Sequence, residues 1–155
     1  MKKQALKAVT MLVSIIALAF ITAVATNAQS SGKTLRANVP FDFVVGDKTL
    51  AAGEYTVASI NQDATGIRVS GKNNHQNAIR LSNPVEAKGS NNRAMLTFHR
   101  YGEQYFLSQV WMPGSEGREM LKSKAERAAE RELSRLASNK GGATAEIVTI
   151  YAEMQ

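Results

Sequence analysis

The chain contains no cysteine among its 155 residues, and this absence excludes several kinds of chemistry. Disulfide bonds, cysteine-ligated metal sites and a cysteine nucleophile are all ruled out. A lipid anchor attached to an N-terminal cysteine is ruled out as well. The fold must therefore be stabilised by packing, for which the length suffices in one domain.

Histidine is almost as scarce, since only His75 and His99 are present. No carboxylate has metal-ligand spacing to either of them, so we predict neither a metal site nor a cofactor. Composition leaves a Ser-His-Asp arrangement open, but the sequence contains no nucleophile elbow. These observations favour a non-catalytic protein over an enzyme, and His99 is interpreted as a half-buried residue of a sheet.

The first 28 residues have the pattern of a targeting segment. Lys2, Lys3 and Lys7 precede an uncharged, mainly apolar run over residues 8–25, and small residues lead up to Ala28. This pattern predicts a secretory signal peptide, cleaved near Ala28, and hence a periplasmic or secreted protein. The alternative is a retained membrane anchor, because the apolar run is nearly long enough to span a bilayer. Residues 29–155 then form a single β-rich domain.

The positive charge belongs partly to this segment. The formal net charge is +6, and residues 1–28 hold three of the 19 basic residues and none of the 13 acidic ones. The remaining 127 residues therefore carry only +3. A charge this small is weak support for nucleic-acid binding, and no nucleic-acid partner is predicted.

Strand patterns dominate the rest of the chain. Apolar residues occupy every odd position over residues 35–45, which predicts a strand at an edge or bulged near Pro40. A second strand is predicted over residues 54–57. Residues 66–70 and 78–82 predict a hairpin whose inward side chains are Ile67, Val69, Ile79 and Leu81.

The aromatic-rich stretch from Met95 to Met112 predicts a central hairpin. Gly102-Glu103 suits a two-residue type II′ turn, which pairs Arg100 with Tyr105 and, further along, Leu96 with Gln109. In this register four side chains share one face and could bind a sugar or a small apolar ligand with polar tips. The candidate ligand-binding residues are Arg100, Tyr105, Gln109 and Trp111. The alternative is that this face belongs to the core.

The pattern changes to helical near the C-terminus. Ser123 and Glu126 match a capping box, and a helix is predicted from about Lys124 to Ala137. A basic face on this helix could contact anionic lipid, or could be a solvated face balanced by Glu126, Glu130 and Glu132. The basic face consists of Lys124, Arg127, Arg131 and Arg135. Residues 144–152 then predict a last strand that returns to the sheet.

Together these elements predict a mainly β fold, either an antiparallel β-sandwich or a partly open β-barrel. It would contain about six to eight strands and one C-terminal α-helix before the last strand.

Three phrases in the sequence carry a family resemblance: Val39–Gly46, Ala52–Val57 and Phe98–Trp111, the last followed by Lys122–Arg127. They resemble a family of short exported bacterial proteins of unknown function. The resemblance covers about residues 35–135. Because that family has no assigned activity, the resemblance implies export but no functional residue.

The sequence therefore predicts an exported, non-catalytic binding or structural module of the cell envelope. Its partner would be an envelope component, a glycan or a small ligand. The alternatives are a carrier of a small apolar or sugar ligand and a small periplasmic hydrolase that uses His99 with Arg100 or a tyrosine.

Overall fold

A computed structural model describes residues 33–61, 63–73, 75–86, 93–114, 117–138 and 145–155. The contacts divide the chain into Met1–Ser30 and Ser31–Gln155, and all described residues lie in the second unit. The predicted signal peptide over residues 1–28 lies outside the described residues. No helix among the described residues has the length and apolar character needed to cross a bilayer.

The described residues form eleven strands and one helix. The helix, α1, spans Lys124–Ser138. The strands are β1 (Thr34–Val39), β2 (Phe43–Val45), β3 (Lys48–Leu50), β4 (Gly53–Ser59), β5 (Gly66–Gly71), β6 (Asn77–Val85), β7 (Met95–Tyr101), β8 (Gln104–Trp111), β9 (Gly117–Met120), β10 (Glu146–Tyr151) and β11 (Glu153–Met154).

Hydrogen bonds join nine of the strands in the order β10-β7-β8-β9-β6-β5-β4-β1-β11. The two ends of this path, β10 and β11, are separated in the chain only by Ala152, whose N–H donates to the carbonyl of Ala94 at 2.9 Å. The last residues of the chain thus form both ends of this path. The sheet itself is not closed, and the prediction of a mainly β fold with one helix before the last strands is confirmed. The number of strands is higher than predicted.

The strand predicted over residues 35–45 is two strands, because Pro40 lies between β1 and β2. Proline has no N–H to donate, so the ladder with β4 stops at Val39. The alternation itself is right, since the odd positions on both sides of the break are buried, apart from the partly buried Phe41. After the break, β2 pairs with β3 and makes a single parallel contact with β8 at Val44 and Phe106.

Large side chains fill the space inside the sheet. Tyr55, Phe43 and Phe98 are among the fully buried residues, and Phe43 packs edge-on against both other rings with centroids 5.0 Å and 5.4 Å away. Aromatic rings prefer this edge-to-face arrangement, which adds to the stabilisation from apolar burial. The interior is therefore a packed core.

The β5–β6 hairpin forms as predicted, but half of its predicted inward residues face outward. The register pairs Ile67 with Arg80 and Arg68 with Ile79. Because side chains alternate between faces along a strand, Ile67 and Ile79 lie on opposite faces. Ile67 is fully buried, whereas Ile79 and Leu81 are 59% and 60% exposed.

Helix α1 begins as the capping box predicts. The N–H of Glu126 donates to Oγ of Ser123 at 3.1 Å, which satisfies one of the free donors of the first turn. At helical spacing one apolar face of the sequence consists of Leu121, Ala125, Ala128, Ala129, Leu133 and Leu136. The face that α1 buries is different from this apolar face. Glu126 is buried, whereas Ala125 and Ala128 are exposed and Leu136 is 58% exposed.

Candidate functional site

The central hairpin, β7 and β8, has the predicted turn and an unpredicted bulge. Gly102 has a φ of 64°, as the first central position of a type II′ turn requires, and Arg100 lies opposite Tyr105. The register shifts between Thr97 and Phe98, whose partners are Gln109 and Leu107. Ser108 is therefore an extra residue in β8, which is a β-bulge.

The bulge separates the four predicted ligand-binding residues. Arg100 and Tyr105 remain on the face that Phe98 shares, but Gln109 lies opposite Thr97 and Trp111 opposite Met95. Thr97 and Met95 alternate with Phe98, so Gln109 and Trp111 lie on the other face of the sheet. The predicted pairing of Leu96 with Gln109 is wrong, because one extra residue reverses the faces of everything that follows it.

Arg100 and Tyr105 form the rim of the core. The ring of Phe41 stacks on Tyr105 with centroids 3.9 Å apart, and the Arg100 guanidinium lies 5.4 Å from the Tyr105 centroid. Arg100 also forms an ion pair with Glu146 at 3.1 Å. The tyrosine ring is thus covered by other side chains, and Arg100 already has an acidic partner.

Gln109 and Trp111 form a contact on the opposite face. Nε1 of Trp111 donates to Oε1 of Gln109 at 3.2 Å, and the indole ring lies against Gly117. A Cβ atom added to Gly117 would lie 2.5 Å from the ring. The single tryptophan is therefore packed into the fold.

A line of hydrogen bonds on this second face joins the hairpin to α1. Oγ of Ser108 lies 3.2 Å from Nε2 of His99, and Nδ1 of His99 lies 3.1 Å from Oε1 of Glu126. The bulge residue, a strand residue and a helix residue therefore meet in one polar chain. The hydroxyl group of Tyr101 is a further neighbour of Glu126, 3.5 Å from the same oxygen.

This line has the order of groups found in a serine hydrolase, namely hydroxyl, imidazole and carboxylate. The hydroxyl group of this line is less accessible to solvent than that of an active nucleophile. Ser108 is only 4% exposed, which leaves a substrate little access to its hydroxyl group. With these contacts in place the line ties α1 to the sheet, because a satisfied buried polar chain specifies one docking geometry.

A cleft of about 280 Å³ opens beside this line, between α1 and the β7–β10 edge. Its polar lining includes the hydroxyl groups of Tyr101 and Ser134 and the charges of Lys122 and Glu130, with His99 at its inner wall. Its apolar lining is Leu133, Ala145 and Ile147. An apolar wall opposite a few converging polar groups is the usual character of a small-ligand site.

Two groups that line the cleft have pKa values shifted from their ordinary values. Burial, and next to it the negative charge of Glu126, raises the pKa of Tyr101. A hydrogen bond to Glu130, whose Oε1 lies 2.6 Å from Nζ of Lys122, raises the pKa of that lysine. At neutral pH the cleft thus presents a protonated phenol and an ammonium group held by a carboxylate.

The sequence contains only a partial signal for these residues. The capping box locates Glu126 at the helix start, but it predicts a side chain that turns back to the cap rather than towards His99. No pattern in the sequence identifies Lys122 or Ser134 as a candidate site residue. Among the described residues no cluster of three metal-ligand side chains occurs, and His75 lies exposed in a loop with a φ of 52°.

No protein-family model matches the chain, and no curated protein or solved structure is significantly similar to it.

Proposed function

We propose that this protein is an exported, non-catalytic module that binds a small ligand in the cleft between α1 and the β7–β10 edge. One observation carries the proposal: apolar and polar side chains from two sheet strands, the helix and the segment before the helix converge on one open space. Export rests on the N-terminal pattern and on the resemblance described above.

The lining indicates the chemical class of the ligand. Leu133 and Ile147 offer an apolar wall, and Lys122 offers ammonium donors. The hydroxyl groups of Tyr101 and Ser134 donate to Glu126 and Glu130, so their oxygens can accept hydrogen bonds from a ligand. A small molecule with one apolar face and several hydroxyl groups, such as a sugar, complements this arrangement. The aliphatic wall would contact the C–H face of the ring, and the polar groups would fix its orientation.

A carrier that holds its ligand inside the sheet is not supported by the packing. Phe43, Tyr55 and Phe98 occupy the interior with mutual ring contacts, and Phe41 stacks on Tyr105 at its rim. A ligand placed there would have to displace several fully buried side chains. The carrier alternative is therefore restricted to the external cleft.

The binding experiment is a calorimetric and NMR screen of mono- and oligosaccharides and small amphiphiles. Ser134→Phe fills the cleft from the helix, and Ala128→Phe adds the same ring to the exposed side of the same helix. We expect saturable binding that weakens at least about tenfold in Ser134→Phe and stays within about twofold in Ala128→Phe. Equal loss in both variants, or no saturable ligand at all, would contradict the proposal.

The export part is tested separately by mass spectrometry of the protein recovered from the envelope of an expressing bacterium. The expected mass corresponds to a chain that begins after Ala28. A full-length chain in the membrane fraction would instead support the retained anchor.

The line from Ser108 to Glu126 motivates a second candidate, a small hydrolase. Arg100 has no part in it, since Arg100 lies on the other face of the hairpin. The partners of His99 would be Ser108, as nucleophile, and Glu126. Labelling by a fluorophosphonate probe that disappears in Ser108→Ala would replace the binding proposal with this one. Because Ser108 is buried, we expect no labelling.

A further inference from the structure

The exposed side of α1 carries a row of cations. Lys124, Arg127, Arg131 and Arg135 follow one another at spacings of three and four residues, which aligns them along one side of a helix. All four are exposed to solvent. At about 1.5 Å of rise per residue the row is about 16 Å long.

The acidic residues that could balance this row face elsewhere. Glu126 is 4% exposed and bonded to His99, and Glu130 is paired with Lys122 in the cleft. Neither is available as a counter-charge on the outer side of α1. Of the three carboxylates that could balance this face, Glu126 and Glu130 therefore have other partners.

Among the described residues, Glu132 is the acidic residue that reaches the row. It lies 4.0 Å from Arg135, and both side chains are largely exposed, so the pair contributes little. Among the residues that the structure describes, no ion pair involves Lys124, Arg127 or Arg131. Arg131 donates from Nε to the carbonyl of Arg127 at 3.2 Å. The row thus has an unbalanced positive charge.

We propose that this row docks the protein onto an anionic phospholipid surface. A straight row of cations on a rigid helix can approach a plane of phosphate groups with all members at once, and each contributes to the attraction. The helix contains no aromatic residue on which a nucleic-acid base could stack. None of the four cations lines the ligand cleft.

The test is co-sedimentation of the protein purified from the envelope with vesicles of phosphatidylcholine, with and without about 30% phosphatidylglycerol. The α1 variant reverses the charge at three of the four cations of the row, through Lys124→Glu, Arg127→Glu and Arg131→Glu. A matched variant changes net charge equally at exposed positions away from α1, through Lys48→Glu, Arg68→Glu and Arg93→Glu. Any contribution of residues 1–28, if retained, is common to all three proteins.

We expect binding only to the anionic vesicles, with a loss of roughly a hundredfold in the α1 variant and no more than about tenfold in the matched variant. Raising the salt from about 0.1 M to about 0.5 M should weaken the wild-type binding strongly. Circular dichroism of each variant checks that the fold is retained.

Three outcomes would overturn the proposal. Equal binding to zwitterionic vesicles would remove the electrostatic basis, and equal losses in the two charge variants would remove the specific surface. Binding of RNA or of free glycerol phosphate at least as tight as binding to anionic vesicles would assign the row to another ligand.

Discussion

Glu126 of the helix and His99 of the central hairpin share a hydrogen bond of 3.1 Å between Oε1 and Nδ1. The carboxylate is almost completely buried, and the imidazole side chain is 21% exposed. Their contact decides which side of α1 faces the sheet. It thereby determines both the lining of the cleft and the direction of the basic row.

Glu126→Ala tests how much this contact contributes to the free energy of unfolding. It leaves the His99 ring without its helix partner, and we expect a loss of about 1–3 kcal/mol in the free energy of unfolding. Glu132→Ala, at an exposed position of the same helix, should change it by less than about 0.5 kcal/mol. Urea denaturation followed by circular dichroism measures both. If the two variants lose the same stability, the contact does not hold the helix.

The assignment of the bulge can be tested by deleting single residues of β8. Removing Ser108 takes out the extra residue, so the pairs Leu107–Phe98 and Gln109–Thr97 can form a regular ladder. We expect a folded protein that is destabilised by about 1–2 kcal/mol through the lost contact to His99.

Removing Leu107 instead places Ser108 opposite Phe98 in the core, and we expect at least about 4 kcal/mol of destabilisation. Thermal denaturation and NMR spectra compare the two deletions. A Ser108 deletion as disruptive as the Leu107 deletion would contradict the assignment of the bulge.

We expect any side chain at position 117 to destabilise the fold. The ring of Trp111 lies where its Cβ would be, and Gly117→Ala should cost about 1–3 kcal/mol through forced repacking. Gly53→Ala serves as the control, because its Cβ would meet only the ring of Tyr55 at an ordinary 3.8 Å. The near-ultraviolet circular dichroism of Trp111 should change in the first variant alone. An unchanged signal in Gly117→Ala would mean that the ring is not held there.

The register of the β5–β6 hairpin is tested by truncating two isoleucines. Ile67→Ala should cost about 2–5 kcal/mol, because the side chain is fully buried. Ile79→Ala should cost less than about 1 kcal/mol, since more than half of that side chain is exposed. Guanidinium denaturation gives both values. Comparable costs would place Ile79 in the core and contradict the register.

Stability should fall at alkaline pH. The folded-state pKa values of Tyr101 and Lys122 are both raised, so the folded protein binds more protons than the unfolded chain above about pH 10. The stabilisation is complete below the unfolded pKa values and is lost as pH rises through the folded ones. Denaturation between pH 9 and 11 should show this decline, and the double variant Tyr101→Phe, Lys122→Met should flatten it. A decline that persists unchanged in that variant would point to other groups.

Local patterns in the sequence predicted much of the fold. The alternation over residues 35–45, the Gly102 turn and the Ser123 cap each depend on neighbours within a few positions, and each is present in the structure. Such features follow from side-chain periodicity and backbone conformation, which a short segment carries by itself. The break at Pro40 follows from the same local chemistry.

The candidate site was predicted only in part, because its residues come together through pairing rather than through spacing. No local pattern marks Ser108 as an extra residue, and without it Gln109 and Trp111 were assigned to the face of Arg100. The same limitation applies to Ile79 and Leu81, whose apolar character predicted burial although the register turns them to solvent.

The sequence by itself determined the β-rich class, the hairpin turns, the position of the helix and the residues that make its basic row. Only the tertiary structure decided which faces those residues occupy. The physical reason is that a one-residue bulge, or a single bond such as Glu126 to His99, changes a whole face at little local cost. In the folded protein two helix carboxylates lie on the side facing the sheet, and the exposed Glu132 is the acidic neighbour of the row among the described residues.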